Sequence, residues 1–225
     1  VTLRWPRTVQ RVGGRIVGPL EGLLEHVDPR PGEYTEDDIS PHLWPNGKLP
    51  DSDEFAALLA NGFQDFRLRV DGLVEKPREF SLDDLRAMPH REQITQHFCI
   101  QGWSGVAKWG GVRMQDICDA VTPTSEAHYV AFYSFDEGAD GGMYYDVHRI
   151  EHMSHELTLL AYEMNGEPLS VLHGAPLRLR NEVELGFKMV KWVRTVEFIA
   201  DFAELGGGQG GYNEDHEFFG YRMPI

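Results

Sequence analysis

One cysteine with unusual neighbours marks the place where this chain could do chemistry. Cys99 ends a β-like run within Gln96–Val112, Q-H-F-C-I-Q-G-W-S-G-V-A-K-W-G-G-V. A thiolate is a soft, strongly donating ligand, suited to a metal centre or to a nucleophilic role. Gly102, Trp103, Ser104, Trp109, Gly110 and Gly111 follow it and read as the wall of a pocket, where backbone passes close to a bound group. The second cysteine, Cys118, falls with Met114, Ile117 and Val121 at helical spacing and reads as a small core residue. Two cysteines are too few for a disulfide framework.

Other groupings compete with this one. His148, His152 and His155 would present three imidazoles on one face if their stretch were helical, as a zinc or iron site requires, although no H-E-x-x-H pattern is present. The plainer alternative is a solvated helix face. His97 stands two positions before Cys99, so on a strand the two share a face, but no acidic orienter for a Cys-His hydrolase is evident. The glycine run at 206–211 lacks the lysine and hydroxyl of a P-loop and reads as a flexible tail.

Charge narrows the field. A net charge of −15 argues against nucleic acid, which needs a basic face. Within it, Arg178, Arg180, Lys188, Lys191 and Arg194 stand against Glu182 and Glu184, a local +3. Such an island is a seat for a phosphate, or else a strand whose exposed face is cationic.

The elements that must position these residues follow from local signals. Asp51 or Ser52 caps a helix through Glu54–Leu59 that Asn61-Gly62 ends. Phe66–Val70 alternates as a strand into the Asp71-Gly72 turn, and Ser81 with Asp84 boxes a short helix closed by Pro89. Gln93–Cys99 and Tyr129–Phe135 read as strands, and Arg113–Val121 as a helix. The loop Gly138–Gly142 precedes Met143–Val147. Leu157–Met164 is apolar up to an Asn165-Gly166 turn, and Pro176–Arg180 and Met189–Ala200 alternate with period two as the last strands. Residues 1–33 carry arginines and a short amphipathic piece over Leu20–Val27, followed by a proline-rich loop. Without a β-α-β rhythm, the fold expected is α+β, a mixed, mainly antiparallel sheet with short helices. The division expected is an arm over 1–37, a domain over 38–204, and a tail over 205–225 packed on or extending from it. No run reaches the roughly 18–20 apolar residues of a membrane span. The start has neither an initiator methionine nor a signal core, as expected of a trimmed terminus. A soluble protein of the bacterial cytoplasm or periplasm is expected.

Five segments in order resemble the molybdopterin-binding domain of the sulfite oxidase family: I-S-P-H-L-W-P-N-G, the cysteine stretch, H-Y-V-A-F-Y-S-F, L-H-G-A-P-L-R-L and G-F-K-M-V-K-W. The resemblance spans about residues 38 to 200. It implies a molybdenum–molybdopterin cofactor with Cys99 as the protein ligand to the metal. It places His42, Leu43, Trp44, Ser134, His173, Arg178, Lys188, Met189, Val190 and Lys191 around the pterin and its phosphate. It implies oxygen-atom transfer to or from a small substrate, S-oxide or sulfite-like, with electrons exchanged with a separate partner such as a cytochrome. No C-x-x-C-H haem motif or flavin fingerprint is present in the chain.

The tail N-E-D-H-E-F-F-G-Y resembles a bacterial branch of the family, related to the methionine-sulfoxide-reductase catalytic subunit. In the sulfoxide-reducing branch an asparagine stands at His173 and a threonine at Ser134, swaps that keep hydrogen-bonding capacity. Sulfite-oxidising members add arginines and a dimerisation domain, for which residues up to Ile225 leave no room. The acidic Asn181–Glu184 stretch also weighs against sulfite. The alternatives are a histidine-ligated zinc or iron protein using His148, His152 and His155, or a cofactor-free binding module on the same fold.

Overall fold

The computed structural model describes residues 31–138 and 141–216. The amphipathic piece expected at Leu20–Val27, and the ends of the arm and tail, lie outside them.

Ser52 opens α1 (Asp53–Ala60) by accepting the Phe55 amide at 3.2 Å, and the chain leaves through Gly62 at φ 67°. β1 (Arg67–Gly72) buries Leu68 and Val70 between outward arginines, the alternation its sequence shows. It runs on through Gly72, where a Cβ would collide with the Phe198 carbonyl. β2 (Arg78–Ser81) leads into α2 (Leu82–Ala87), with the Ser81/Asp84 box formed in both directions. β3 (His90–Phe98), β4 (Ser104–Arg113), α3 (Met114–Val121), β5 (Tyr129–Glu137) and β6 (Met143–Arg149) follow. The chain ends in β7 (Thr158–Met164), β8 (Glu167–Pro168), β9 (Arg178–Asn181), β10 (Val193–Ile199) and α4 (Tyr212–His216).

Two sheets result. One has the order β2-β1-β10-β5-β6; the other runs β3-β4-β7-β8, with β9 also paired to β7. β1 and β10 run parallel and the other named pairs antiparallel, which is the mixed α+β fold expected. Phe66, Leu68, Val112, Ile117, Phe132, Leu160, Leu179, Val196 and Phe198 share one buried core. Each such side chain contributes about 1.5–3 kcal/mol by leaving water. α3 adds Cys118 to that core, and burial pushes its thiol up to about 12, an inert state at neutral pH.

Three expectations need correction. Trp109, Gly110 and Gly111 belong to a ten-residue strand rather than to a pocket wall, and Trp109 is fully buried. β9 does not alternate: all four of its residues are buried, so Arg178 and Arg180 point inward. His148, His152 and His155 share no helix face, because His148 sits on β6, His152 in the 3₁₀ turn Ile150–Ser154, and His155 after it.

Candidate functional site

The β3–β4 hairpin carries Cys99 at its turn. The Cys99 amide donates to the Trp103 carbonyl at 2.9 Å, and the Gly102 amide closes back on the Cys99 carbonyl at 3.0 Å. Gly102 holds φ 86°, a value that favours glycine. The turn directs the sulfur into a cavity of about 510 Å³. There Asn46 Nδ2 donates to Cys99 Sγ at 3.1 Å, and the Gln101 amide approaches the same atom at 3.5 Å. Donors of this kind orient a ligating sulfur and tune its donor strength.

The same cavity is also cationic. Arg178 is buried, lines the cavity, and donates through Nη1 to the His173 carbonyl at 2.9 Å, while its Nε has no partner. Burial first, and the Arg180 guanidinium second, push Arg178 well below the usual arginine range. Behind it, Arg180 is fully buried and bidentate to Glu182, at 2.7 and 2.6 Å. Both guanidinium groups lie over the Trp109 ring, 4.7 and 4.3 Å from its centre. Lys191, also in the cavity, donates to the carbonyls of Asn46 and Leu172, and burial with Arg178 pulls it down to about 7. A pocket that holds Arg178 and Lys191 among carbonyls, together with a thiol, suits an anionic ligand that also offers a soft metal.

Residues 56–204 match the model of the oxidoreductase molybdopterin-binding domain. The chain belongs to this family. The protein is thus a molybdopterin-binding oxidoreductase, and its cofactor is molybdenum–molybdopterin. The catalytic subunit of protein-methionine-sulfoxide reductase, MsrP, from Xanthomonas axonopodis is 35% identical over 147 residues, 61% of this chain and 46% of that one. The subunit of the same name from Campylobacter jejuni is 31% identical over 156 residues, 64% of this chain and 52% of that one. The chain thus spans about half the length of these relatives. The crystal structure of the sulfane dehydrogenase SoxCD from Paracoccus pantotrophus superposes with a TM-score of 0.55 at 27% identity, covering 61% of this chain and 39% of that one.

The residues singled out by sequence in this molybdopterin-binding domain converge, with two exceptions. Leu43, Trp44, Cys99, Ser134, His173, Arg178, Met189, Val190 and Lys191 all line the cavity. Ser134 donates to the Lys191 carbonyl at 2.8 Å and accepts the Asp136 amide at 2.9 Å. His173 spans two segments: its Nε2 donates to the Leu43 carbonyl at 3.0 Å and its Nδ1 accepts the Ser170 hydroxyl at 2.8 Å, so its ring ties the N-terminal loop down. Burial lowers its basicity. His42 is exposed and packs edge-on against Trp44. The Lys188 ammonium is buried between Asp146 and Glu214, 2.6 Å from each, and does not line the cavity.

The competing sites dissolve on inspection. His148 Nδ1 and His152 Nδ1 both meet Asn181 Nδ2, at 2.8 and 3.2 Å, and His148 Nε2 meets the Lys188 carbonyl at 2.9 Å. His155 instead accepts the Leu157 amide. Among the described residues, no group of three or more histidine, cysteine or acidic side chains could hold a metal ion. His97 lines the cavity but accepts from Arg180 at 2.9 Å, and burial with the nearby cations pushes it down to about 2. With Nδ1 already engaged by the Arg180 guanidinium, the ring is not set up to activate a nucleophile. Gly186 presses on that ring so closely that a Cβ there would overlap it. Glu182 and Glu184 are buried; Glu182 binds Arg180, Gln93 and Thr95, and neither glutamate lines the cavity, so the acidic stretch carries no weight against sulfite.

Sequence reading did not single out Asn46, Asp136, Tyr144 or Asn213. Asn46 lies within the quoted I-S-P-H-L-W-P-N-G loop, but only the fold brings its amide to Cys99. Asp136 gave no signal beyond following Ser134 by two, and burial raises its carboxyl to about 6.

Lys191 yields a pH prediction. Its native value of about 7 lies below the ordinary 10.5, so between those limits the unfolded chain holds the extra proton. Stability of the cofactor-free protein should therefore rise with pH across that window. Lys191→Met should lack this increment when urea midpoints of the two proteins are compared at neutral and alkaline pH. Parallel profiles would show that Lys191 is not held in this state.

Proposed function

We propose that Cys99 ligates the molybdenum of the bound cofactor, and that Arg178 and Lys191 receive its phosphate, in an enzyme that moves an oxygen atom to or from a small sulfur-centred substrate. The observation that carries this reading is the shared cavity: one thiol on a hydrogen-bonded turn, and in the same lining a buried arginine whose Nε has no acceptor. When bound, the cofactor supplies two-electron oxygen-atom exchange with the substrate and single-electron exchange with a partner. The chain supplies the rest. Asn46 and the Gln101 amide fix the sulfur, and the ring of His173 holds the loop that bears Leu43 and Trp44 against the cavity. Trp44 and Leu172, 63% and 51% exposed, give the cavity apolar surface that suits a thioether or methyl group.

This division of labour favours a neutral sulfoxide over a sulfite dianion. The cations of the cavity are matched by the cofactor phosphate, and Trp44 and Leu172 offer apolar surface. The relatives named for methionine-sulfoxide reduction point the same way. Electrons would come from a separate one-electron carrier such as a cytochrome.

The test is elemental and functional together. Purified protein should hold molybdenum stoichiometric with the chain, release a fluorescent oxidised pterin, and reduce a small sulfoxide with a reduced viologen as electron donor. Arg178→Ala should lower molybdenum and pterin content by at least about tenfold, since truncating one side of a buried charge contact costs about 2–5 kcal/mol. Unchanged molybdenum content in that variant would contradict the phosphate role.

A further inference from the structure

We infer that the segment after β10 brings Asn213 into the lining of the cavity and that this side chain selects substrates carrying a hydrogen-bond donor beside the reacting sulfur. The inference rests on the sulfoxide reading above and adds what that reading leaves open, the chemistry of the rest of the substrate.

The segment lies beyond residue 204, where the family match ends, yet it is fastened to β6 at several points. The Val147 amide donates to the Gly210 carbonyl at 2.9 Å, and Asp146 bridges to Gly211. The Asp215 carboxylate accepts the Tyr145 hydroxyl at 2.5 Å and the amides of Gly207 and Gln209 at 2.8 and 3.0 Å. Leu205 and Tyr212 pack on Ala131, Tyr145 and Val147, on a face of the sheet away from the main core. Deepest is Glu214, buried against Lys188. Asn213 therefore sits next to a residue that cannot easily move, and it lines the same cavity as Cys99.

Hydrogen-bond logic fixes what Asn213 offers. The Tyr144 hydroxyl donates to the Phe187 carbonyl, which can only accept, at 3.2 Å. With its proton spent there, the Tyr144 oxygen accepts from Asn213, whose Nδ2 lies 2.8 Å away. The amide cannot be flipped without placing two acceptors against each other. Asn213 Oδ1 is thereby left as an open acceptor, with no bond to it among the described residues. An acceptor held in place in the lining of the cavity discriminates by the penalty of leaving it unmatched, which is how polar groups in a pocket confer selectivity. The ligand class is a sulfoxide bearing an amide N–H or a hydroxyl.

A matched pair tests this on the holoenzyme: 2-(methylsulfinyl)acetamide, which carries N–H donors, and its N,N-dimethyl analogue, which carries none. Wild type should favour the primary amide. Asn213→Ala should lose about five- to tenfold in kcat/KM on that substrate, mainly through KM, the worth of one neutral hydrogen bond. Its preference for the primary amide over the dimethyl analogue should shrink toward unity, and its molybdenum content should match wild type. Equal losses on both substrates, or no loss on either, would overturn the assignment, as would loss of molybdenum. Binding of the two corresponding sulfones, followed by fluorescence of Trp44 and Trp103, gives the same ratio without turnover. If wild type reduces neither sulfoxide, the proposed reaction is wrong, and the sulfone ratio alone decides for or against Asn213.

Discussion

Cys99→Ser is expected to lower turnover by more than about 100-fold, beyond the 10–100-fold loss typical of removing an outer-shell partner of a metal ligand. The reason is donor chemistry. Serine keeps the size and the hairpin geometry but replaces a soft, polarisable sulfur by a hard oxygen that stays protonated near neutral pH. The fold should not notice. Cys99 is only partly buried on a turn held by backbone bonds to Trp103 and Gly102, and its sulfur is outside the core. The thermal midpoint should stay within about 2 °C of wild type, as for changes away from packing or buried networks. Because Arg178 and Lys191 remain, the variant should retain pterin and lose activity. A Cys99→Ser protein with near-native turnover would remove Cys99 from the metal, whatever else the cavity binds.

How much of this was legible in the sequence depends on the range of the signal. Ser52, the Ser81/Asp84 box and the alternation at Leu68 and Val70 are local, and each element they announce exists. The cysteine turn was legible because a thiol followed by Gly102 is unusual chemistry in a short window. The basic island was legible as charge but not as direction. Nothing in R-L-R-N says that both arginines point inward; that follows from the pairing of β9 with β7 and from Glu182 and the Trp109 ring, which meet them only in the fold. The three histidines failed for a related reason. Their spacing is helical, but β6 continues through His148, and a strand followed by a 3₁₀ turn sends the rings to different places. Asn213 is more than 100 residues from Cys99 along the chain, and no local pattern could bring it to the cavity.

Lys188 carries the largest expected effect on stability, because it ties the 3₁₀ turn Gly186–Lys188 to the tail through Glu214. Its ammonium is shared by two carboxylates, Asp146 and Glu214, all three at most 1% exposed at the side chain. Burial alone would lower Lys188; the two carboxylates outweigh it and push the group up, so it stays charged. Lys188→Ala would leave two acidic groups in a dry interior without a cation, a change that costs about 3–5 kcal/mol. For a chain of this length that is a drop in thermal midpoint of roughly 6–20 °C. The loss should depend on pH in a defined direction. Burial first, and Glu214 second, already raise the Asp146 carboxyl well above its ordinary range. A carboxyl raised in the native state contributes most at acidic pH and loses that contribution as pH rises through its native value. Without Lys188 the rise is greater, so Lys188→Ala should approach wild-type stability at mildly acidic pH and fall furthest behind at pH 8. Combining Lys188→Met with Asp146→Asn and Glu214→Gln removes every buried charge of the triad, and most of the lost stability should return. Limited proteolysis reports the structural consequence. Cleavage after residue 204 should appear in Lys188→Ala at neutral pH and fade in the triple variant. A Lys188→Ala protein as stable as wild type at pH 8, with an uncut tail, would mean that the triad does not hold the segment bearing Asn213.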